Sequence, residues 1–387
     1  MQRRDQTGTD PSVVAEQAAG VAAAWSPAGA PASWRLTAAQ FEAIRDEPEL
    51  LEMASTIQPD RLPALLFAAA VVYLVLELEP EPLRGWYPRV GALQPELGDG
   101  FRDAYRRFCV EHRERLLELC ARHRYQMNEV GRCADLLPAL AAAVAGDREL
   151  ALVDIGTGSG LALHLDRYRY MFEGPDGEEA TVGDPASDVV IATQVRGRTP
   201  VPLPAQPPRL HRRIGIDIEP LDLDDAEVRT WLAACVPQEI GAVTRFQRAA
   251  HVARSQPAKL VRGDALSVLP EILAEIPDDV LVCLSDTYVH VFFEERELRR
   301  FREFVDAVGA ERDIDWISLD PLIPLGPSAT DSVIGVPVPP ALVTRNREQG
   351  VFGVLGRVSF RGGRRSAGLL AIAHPGAAWL EWLHPTE

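Results

Sequence analysis

The segment Asp154-Ile-Gly156-Thr-Gly158-Ser-Gly160 constrains this chain more than any other part of it. It follows the apolar run Ala-Leu-Val at 151–153 and leads into Leu-Ala-Leu-His-Leu-Asp-Arg-Tyr, which is compatible with a helix. An apolar run that ends in glycine reads as a buried parallel strand turning out of its sheet. Glycine at alternate positions lets the backbone pass close to a ligand where side chains would obstruct it. The spacing is GxGxG with an acid in front. A dinucleotide fingerprint, GxGxxG, would require glycine in place of Leu161, which disfavours a nicotinamide oxidoreductase.

Similar apolar runs recur after the loop: RIGIDI at 213–218, KLVRGD at 259–264, VLVCLSD at 280–286 and DIDWISLD at 313–320. Amphipathic stretches at 224–255, 265–276 and 294–309 separate most of them. Strands alternating with helices predict an α/β fold with a doubly wound parallel sheet. Two further runs, 351–360 and 366–375, flank a glycine-containing loop and predict a C-terminal antiparallel hairpin. The Gly/Pro-rich stretch at about 167–210 holds the strand-like VVIATQVRG and is read as an inserted β-hairpin or β-rich flap over the site, rather than a linker. Upstream, residues 1–33 are Ala, Pro, Gly, Ser and Thr without periodicity, a flexible leader by composition. Helical patterns at 38–47 (with Thr37 as N-cap), 61–78, 101–123 and 128–145 predict an N-terminal all-helical cap over 34–147. The sheet domain is then 148–387.

Forty basic residues against 56 acidic ones give a net charge of −16, and no basic face stands out. Phosphate neutralisation by Lys and Arg dominates nucleic-acid affinity, so DNA and RNA are disfavoured as partners. The strongest apolar run, 63–76, falls short of the roughly 20 residues a membrane span needs, so no membrane partner is expected. The five cysteines form no CxxC pair and fit reduced thiols in a cytoplasmic protein. No HxH or HxxxH pair exists, so no metal site is expected. Oligomeric state has no signal.

Asp154, Asp217, Asp264 and Asp286 all fall at carboxyl ends of predicted strands, where ligands of open parallel sheets bind. An acid before GxGxG, followed by a strand ending Gly-Ile-Asp217-Ile-Glu-Pro, resembles the class I, S-adenosylmethionine-dependent methyltransferases. That resemblance implies a Rossmann-like domain whose loop, Gly156, Gly158 and Gly160, wraps the amino-acid half of the cofactor. Asp154 would help hold the cofactor's ammonium group. Asp217 would accept the ribose hydroxyls, with Glu219 as its competitor. Asp264 and Ala265 would meet the adenine, although Asp264 also reads as a helix N-cap. Asp286 would face both cofactor and substrate.

More specifically, the chain resembles a bacterial family catalogued as domain of unknown function 2332. The stretches carrying this are YQMNEVGRCADLLPAL (125–140), DIGTGSGLALHLDRYRY (154–170), RIGIDIEPLDL (213–223), SDTYVHVFF (285–293), WISLDPLIPLG (316–326) and AHPGAAWLEWL (373–383). The family brings no reaction with it. Methyl transfer from a sulfonium is an in-line displacement, and some acceptors need a base. His164, Asp286, Tyr288 and His290 are the candidate catalytic residues, with structural packing as the competing reading for both histidines. Asn128, Glu129, Arg132, Arg167 and Tyr168 are candidates for contacting the substrate, with capping, ion pairing or core packing as the alternatives. SDTY at 285–288 is neither the NPPY type of N-methylation nor a metal-dependent O-methyltransferase motif. Two functions therefore stay open: methyl transfer to a small molecule, or cofactor binding without transfer, as a sensor or partner subunit.

Overall fold

The computed structural model describes residues 8–27, 30–144, 148–322, 332–349 and 352–384, which fall into two compact units. The first runs up to Asn128 and takes in Asp224–Gln247. Its centre is the helix Pro63–Leu78, whose Leu66, Phe67, Val71, Leu74 and Val75 are all fully buried. A helix apolar on every side must be covered on every side, and the helices Arg35–Asp46, Pro48–Ser55, Phe101–Glu111 and Arg113–Arg122 belong to the same core. Thr37 lies inside Arg35–Asp46 instead of capping it, and its hydroxyl accepts from Gln238 N. The predicted helix at 101–123 breaks at His112, which leaves the helical region at φ −105°, ψ 22°. Among the described residues no helix is long and apolar enough to cross a membrane.

Two boundaries differ from those the sequence suggests. The supposed leader carries a helix, Pro11–Ala24, capped by Asp10 through Ser12 N and started by proline at its first position. Val14, Ala18 and Ala22 recur every four residues and are buried, so alanine, the best helix former, supplies a narrow apolar stripe that composition alone disguises. Residues 1–7 and 28–29 of that stretch lie outside the described residues. The second difference is the helix Ala226–Cys235, read from sequence as part of the sheet domain. Trp231 stacks on His123 at 4.2 Å and donates its indole N–H to Arg124 O, and the Tyr125 hydroxyl donates to Cys235 O, which fixes this helix in the first unit.

The second unit is built on an eleven-stranded sheet. Its strands are β1 (Leu150–Ile155), β2 (Arg169–Glu173), β3 (Glu179–Gly183), β4 (Val190–Arg196), β5 (Leu210–Asp217), β6 (Lys259–Arg262), β7 (Leu281–Thr287), β8 (Ile314–Pro321), β11 (Gly353–Arg361), β12 (Arg364–Ala373) and β13 (Trp379–Trp382). A separate two-stranded piece pairs β9 (Ser332–Val333) with β10 (Val336–Pro337). The sheet order is β3-β2-β4-β13-β12-β11-β8-β7-β1-β5-β6, and β8, β7, β1, β5 and β6 run parallel. Every residue of β1 and β8 is buried, as strands covered on both faces must be. β11 lies antiparallel to β8, and β12 antiparallel to β11.

The stretch at 167–210 is an inserted hairpin, as expected, but it is built into the main sheet and is not a free-standing flap. β2 and β3 form a hairpin, and β4 pairs parallel with both β2 and β13, extending the main sheet at its edge. Tyr168, Tyr170, Phe172 and Ile191 present buried apolar side chains that a lone flap would leave wet, and β13 offers β4 an edge to pair with. Arg196 closes the junction over the Trp379 ring at 4.6 Å. The helix predicted at 128–145 begins at Cys133 and ends at Ala143, after a short 3-10 turn at Val130–Arg132. Residues 145–147, which the predicted helix and cap reach, lie outside the described residues.

The helix Pro11–Ala24 yields a direct test. Ala18→Asp puts an unpaired carboxylate into its fully buried stripe and should destabilise the helical unit by about 2–4 kcal/mol. Thermal unfolding followed by circular dichroism reads the loss; an unchanged transition would mean that the helix adds nothing to this core.

Candidate functional site

Strand order reverses at β1, which has β5 on one side and β7 on the other. The loop leaving β1 therefore opens at the crevice where doubly wound sheets bind ligands. Gly156, Gly158 and Gly160 all take left-handed backbone, at φ 66°, 57° and 77°. At Gly156 a β-carbon would lie 2.5 Å from Val289 Cγ2, so the space above the loop is closed to any side chain.

The loop amides do not point outward as a cradle. Gly156 N and Thr157 N donate to Ile216 O at 2.8 and 3.1 Å, Gly160 N donates to Thr157 O, and Gly158 N donates to Asp217 Oδ2 at 2.9 Å. Asp217 Oδ1 accepts from Glu219 N at 2.9 Å, and Leu221 N donates to Gly158 O. The end of β5 thus clamps the end of β1 through the very acid expected to meet a ribose. Pyrophosphate recognition requires free N–H groups, and those of Gly156, Thr157, Gly158 and Gly160 are engaged. The glycines let the chain's own Val289 and Leu260 side chains pack closely against the loop at Gly156 and Gly160.

Polar side chains continue across the carboxyl ends of β1, β7 and β8, divided by the pleat. Asp154 pairs with Ser285 across β1 and β7, on one face. Ser285 Oγ donates to Asp154 Oδ1 at 2.8 Å. Burial pushes the Asp154 carboxyl up to about 6, with the Ser285 hydroxyl opposing the shift and Asp286 and Asp217 adding to it. Asp286 pairs with Ser318 across β7 and β8, on the other face. Trp316 Nε1 donates to Asp286 Oδ2 at 2.6 Å, and Ser318 Oγ lies 2.6 Å from Asp286 Oδ1 and 2.8 Å from Asp320 Oδ2. Trp316, Ser318 and Asp320 sit at every second residue of β8 and so share that face.

His290, in the 3-10 turn His290–Phe292, reaches the same group. Its Nδ1 lies 2.6 Å from Asp320 Oδ2 and its Nε2 lies 3.4 Å from Asp286 Oδ1. Burial works against the charged ring, but the two carboxylates prevail and hold the imidazole protonated well above the usual histidine range. One donor atom from each of Asp286, His290 and Asp320 lies within 4.8 Å of the others. Asp320 Oδ1 is buried without a hydrogen-bond partner.

Tyr288 takes left-handed backbone at φ 60° and donates its N–H to Leu319 O at 2.7 Å. The Arg132 guanidinium stacks 4.0 Å from the centre of its ring, and Arg132 Nε donates to Pro375 O. Asp135, one turn along, is fully buried with no partner for either oxygen. Burial raises its carboxyl well above the ordinary range, with Arg132 opposing and Glu129 reinforcing the shift, so it is held as the neutral acid.

The candidates thus divide. Asp286 and His290 meet directly, with Asp154 on the adjoining strand, whereas Tyr288 turns towards Arg132. His164 stands apart: it lies buried in the 3-10 segment Leu161–Arg167 beside Arg213 and Arg167, and burial lowers its pKa to about 4. A covered imidazole of that basicity is a poor proton acceptor at neutral pH, which corrects its reading as a base. Tyr168 is fully buried and its hydroxyl donates to Leu161 O, as Tyr170 does to Leu165 O, so both fasten the 3-10 segment and the substrate reading of Tyr168 is corrected. Arg167 is half-buried beside His164. Asp264 caps the helix Ala265–Ala274 through Ser267 N, and Ala265 is that helix's first residue. Glu129 caps the turn Val130–Arg132 through Gly131 N, while Asn128 belongs to the helical unit. Asp135, Trp316, Ser318 and Asp320 carry no motif; the polar stripe W-x-S-x-D in an otherwise apolar strand is the signal that marks the last three.

Two outcomes follow from this geometry. Asp217→Ala should speed hydrogen exchange at the Gly158 and Glu219 amides by about tenfold, since each loses a bond worth roughly 1–2 kcal/mol; unchanged exchange would remove the clamp. The raised carboxyl of Asp154 binds its proton more tightly folded than unfolded. Its contribution to stability is therefore present at low pH and lost as pH rises from about 4 towards about 6. Asp154→Asn should gain on the wild type across that window, by up to roughly 3 kcal/mol in chemical unfolding. A difference that does not vary with pH would contradict the assignment.

Comparison with protein families gives a match over residues 16–382 to a family described as an uncharacterized protein conserved in bacteria (DUF2332). No curated protein matches the chain.

Proposed function

The chain belongs to this bacterial family, and from there we propose that it binds S-adenosylmethionine and transfers its methyl group to a small molecule. The observation that carries the proposal is the left-handed glycine loop at the carboxyl end of β1, clamped by an acid from the end of β5. A run of five parallel strands with an antiparallel strand beside β8 supports the resemblance to class I methyltransferases, although here the first strand of the C-terminal hairpin, β11, is the one beside β8. Each oxygen of Asp217 accepts a hydrogen bond from one backbone N–H and keeps a lone pair with which a ribose hydroxyl can bond. Dense negative charge is a poor match for this loop, whereas a sulfonium carrying one carboxylate is compatible with a wall of backbone and nearby acids. The net charge of −16 favours a small acceptor over nucleic acid.

A second reading, binding without transfer, draws on one observation. His164 is buried and weakly basic, and His290 is held between two carboxylates, so neither histidine is poised to take a proton. Methyl transfer would then be confined to acceptors that need no base.

Calorimetric titration with S-adenosylmethionine and S-adenosylhomocysteine, against NAD as control, tests the cofactor. Saturable binding of a sulfur ligand and none of NAD is expected, and the reverse pattern would overturn the reading. Asp217→Ala should weaken binding at least tenfold. Gly158→Val, forced into left-handed backbone, should abolish it in a folded protein. Formation of S-adenosylhomocysteine in the presence of candidate acceptors separates the transferase from the binder.

A further inference from the structure

We propose that Asp286, His290 and Asp320 form a binding site for a divalent first-row metal ion of the manganese class. The proposal is independent of the adenosyl ligand. Its three donors come from rigid places: Asp286 from the end of β7, Asp320 from β8, and His290 from the 3-10 turn directly after β7. One donor atom of each lies within 4.8 Å of the others, so a small inward movement of the side chains would bring them to the roughly 3–4 Å spacing that bonds of about 2.1 Å to a common centre impose.

Charge and hydrogen bonding favour the same conclusion. Two carboxylates in a buried pocket are costly unless they are compensated. Among the described residues His290 is their one ion-pair partner, so even with the ring protonated the trio keeps one negative charge. A divalent ion with a neutral imidazole brings that sum to zero. Asp320 Oδ1 supplies a second observation, since it is buried and has no hydrogen-bond partner while Oδ2 is engaged. Trp316 Nε1 and Ser318 Oγ hold the carboxylates with uncharged donors, which orient a metal ligand without neutralising it. Two oxygens and one imidazole suit manganese and its neighbours better than calcium or a thiolate-loving metal.

Chelator-treated full-length protein titrated with Mn²⁺, with free ion followed by electron paramagnetic resonance, tests the site. A single equivalent should bind, Asp286→Asn and Asp320→Asn should each bind at least tenfold more weakly, and Asp225→Asn, at the exposed cap of the helix Ala226–Cys235, should match wild type. Absence of stoichiometric binding by the wild type, or equal binding by folded Asp320→Asn, overturns the proposal. Should the Asp variants fail to fold, tryptophan fluorescence decides, because Trp316 bonds directly to Asp286. Mn²⁺ should quench a component of the emission that Trp316→Phe lacks. Identical quenching in both proteins also overturns it.

Discussion

The way β1 leaves the sheet governs everything at the carboxyl ends of the central strands. Three glycines in left-handed backbone would cost conformational entropy without return if nothing held them. They are held by the neighbouring strand: Ile216 O takes two loop amides and the Asp217 carboxylate takes a third. The turn is therefore shaped before any ligand arrives, which lowers the ordering cost that binding would otherwise bear. The same clamp ties Asp217, on β5, to the loop after β1, so neither can shift alone.

The second constraint is dryness. Residues of β1, β7 and β8 are buried almost throughout, yet these strands end in Asp154, Asp286 and Asp320. A sheet selected only for stability would end in apolar side chains, because unpaired buried charge is expensive. Here the pleat separates the acids onto two faces, and each face finds a different remedy. Asp154 answers burial with a hydroxyl partner and an elevated pKa, whereas Asp286 and Asp320 answer it with His290. Perturbed groups of both kinds gathered at a topological switch point are the usual signature of a functional crevice.

The five parallel strands were legible because a strand buried on both faces is a continuous apolar run, and the glycine loop stands at the end of the first. Other features were hidden for identifiable reasons. The stripe of Val14, Ala18 and Ala22 is made of residues too small to register as a hydrophobic pattern. Tyr168 looked like a pocket residue, but its hydroxyl, like that of Tyr170, is taken by a carbonyl only a few positions away in the chain. Asp320 was invisible while DIDWISLD was read as one apolar run; its place beside Asp286 depends on the β7–β8 register, which no local pattern encodes. Glu129 and Asp264 show the opposite, since short-range capping was predictable from spacing and is what they do.

The discontinuous make-up of the helical unit carries a consequence for how the chain is made. The indole of Trp231 bonds to a carbonyl 107 residues earlier, at Arg124, and β1 through β5 lie between them. During synthesis the early helices emerge with the seat of Ala226–Cys235 still uncovered, and they wait while two of the five central parallel strands, β1 and β5, are translated. Chains emerging at about 5–20 residues per second therefore expose that apolar seat for several seconds. The order of folding in this unit is therefore a matter of translation rate as well as of energy.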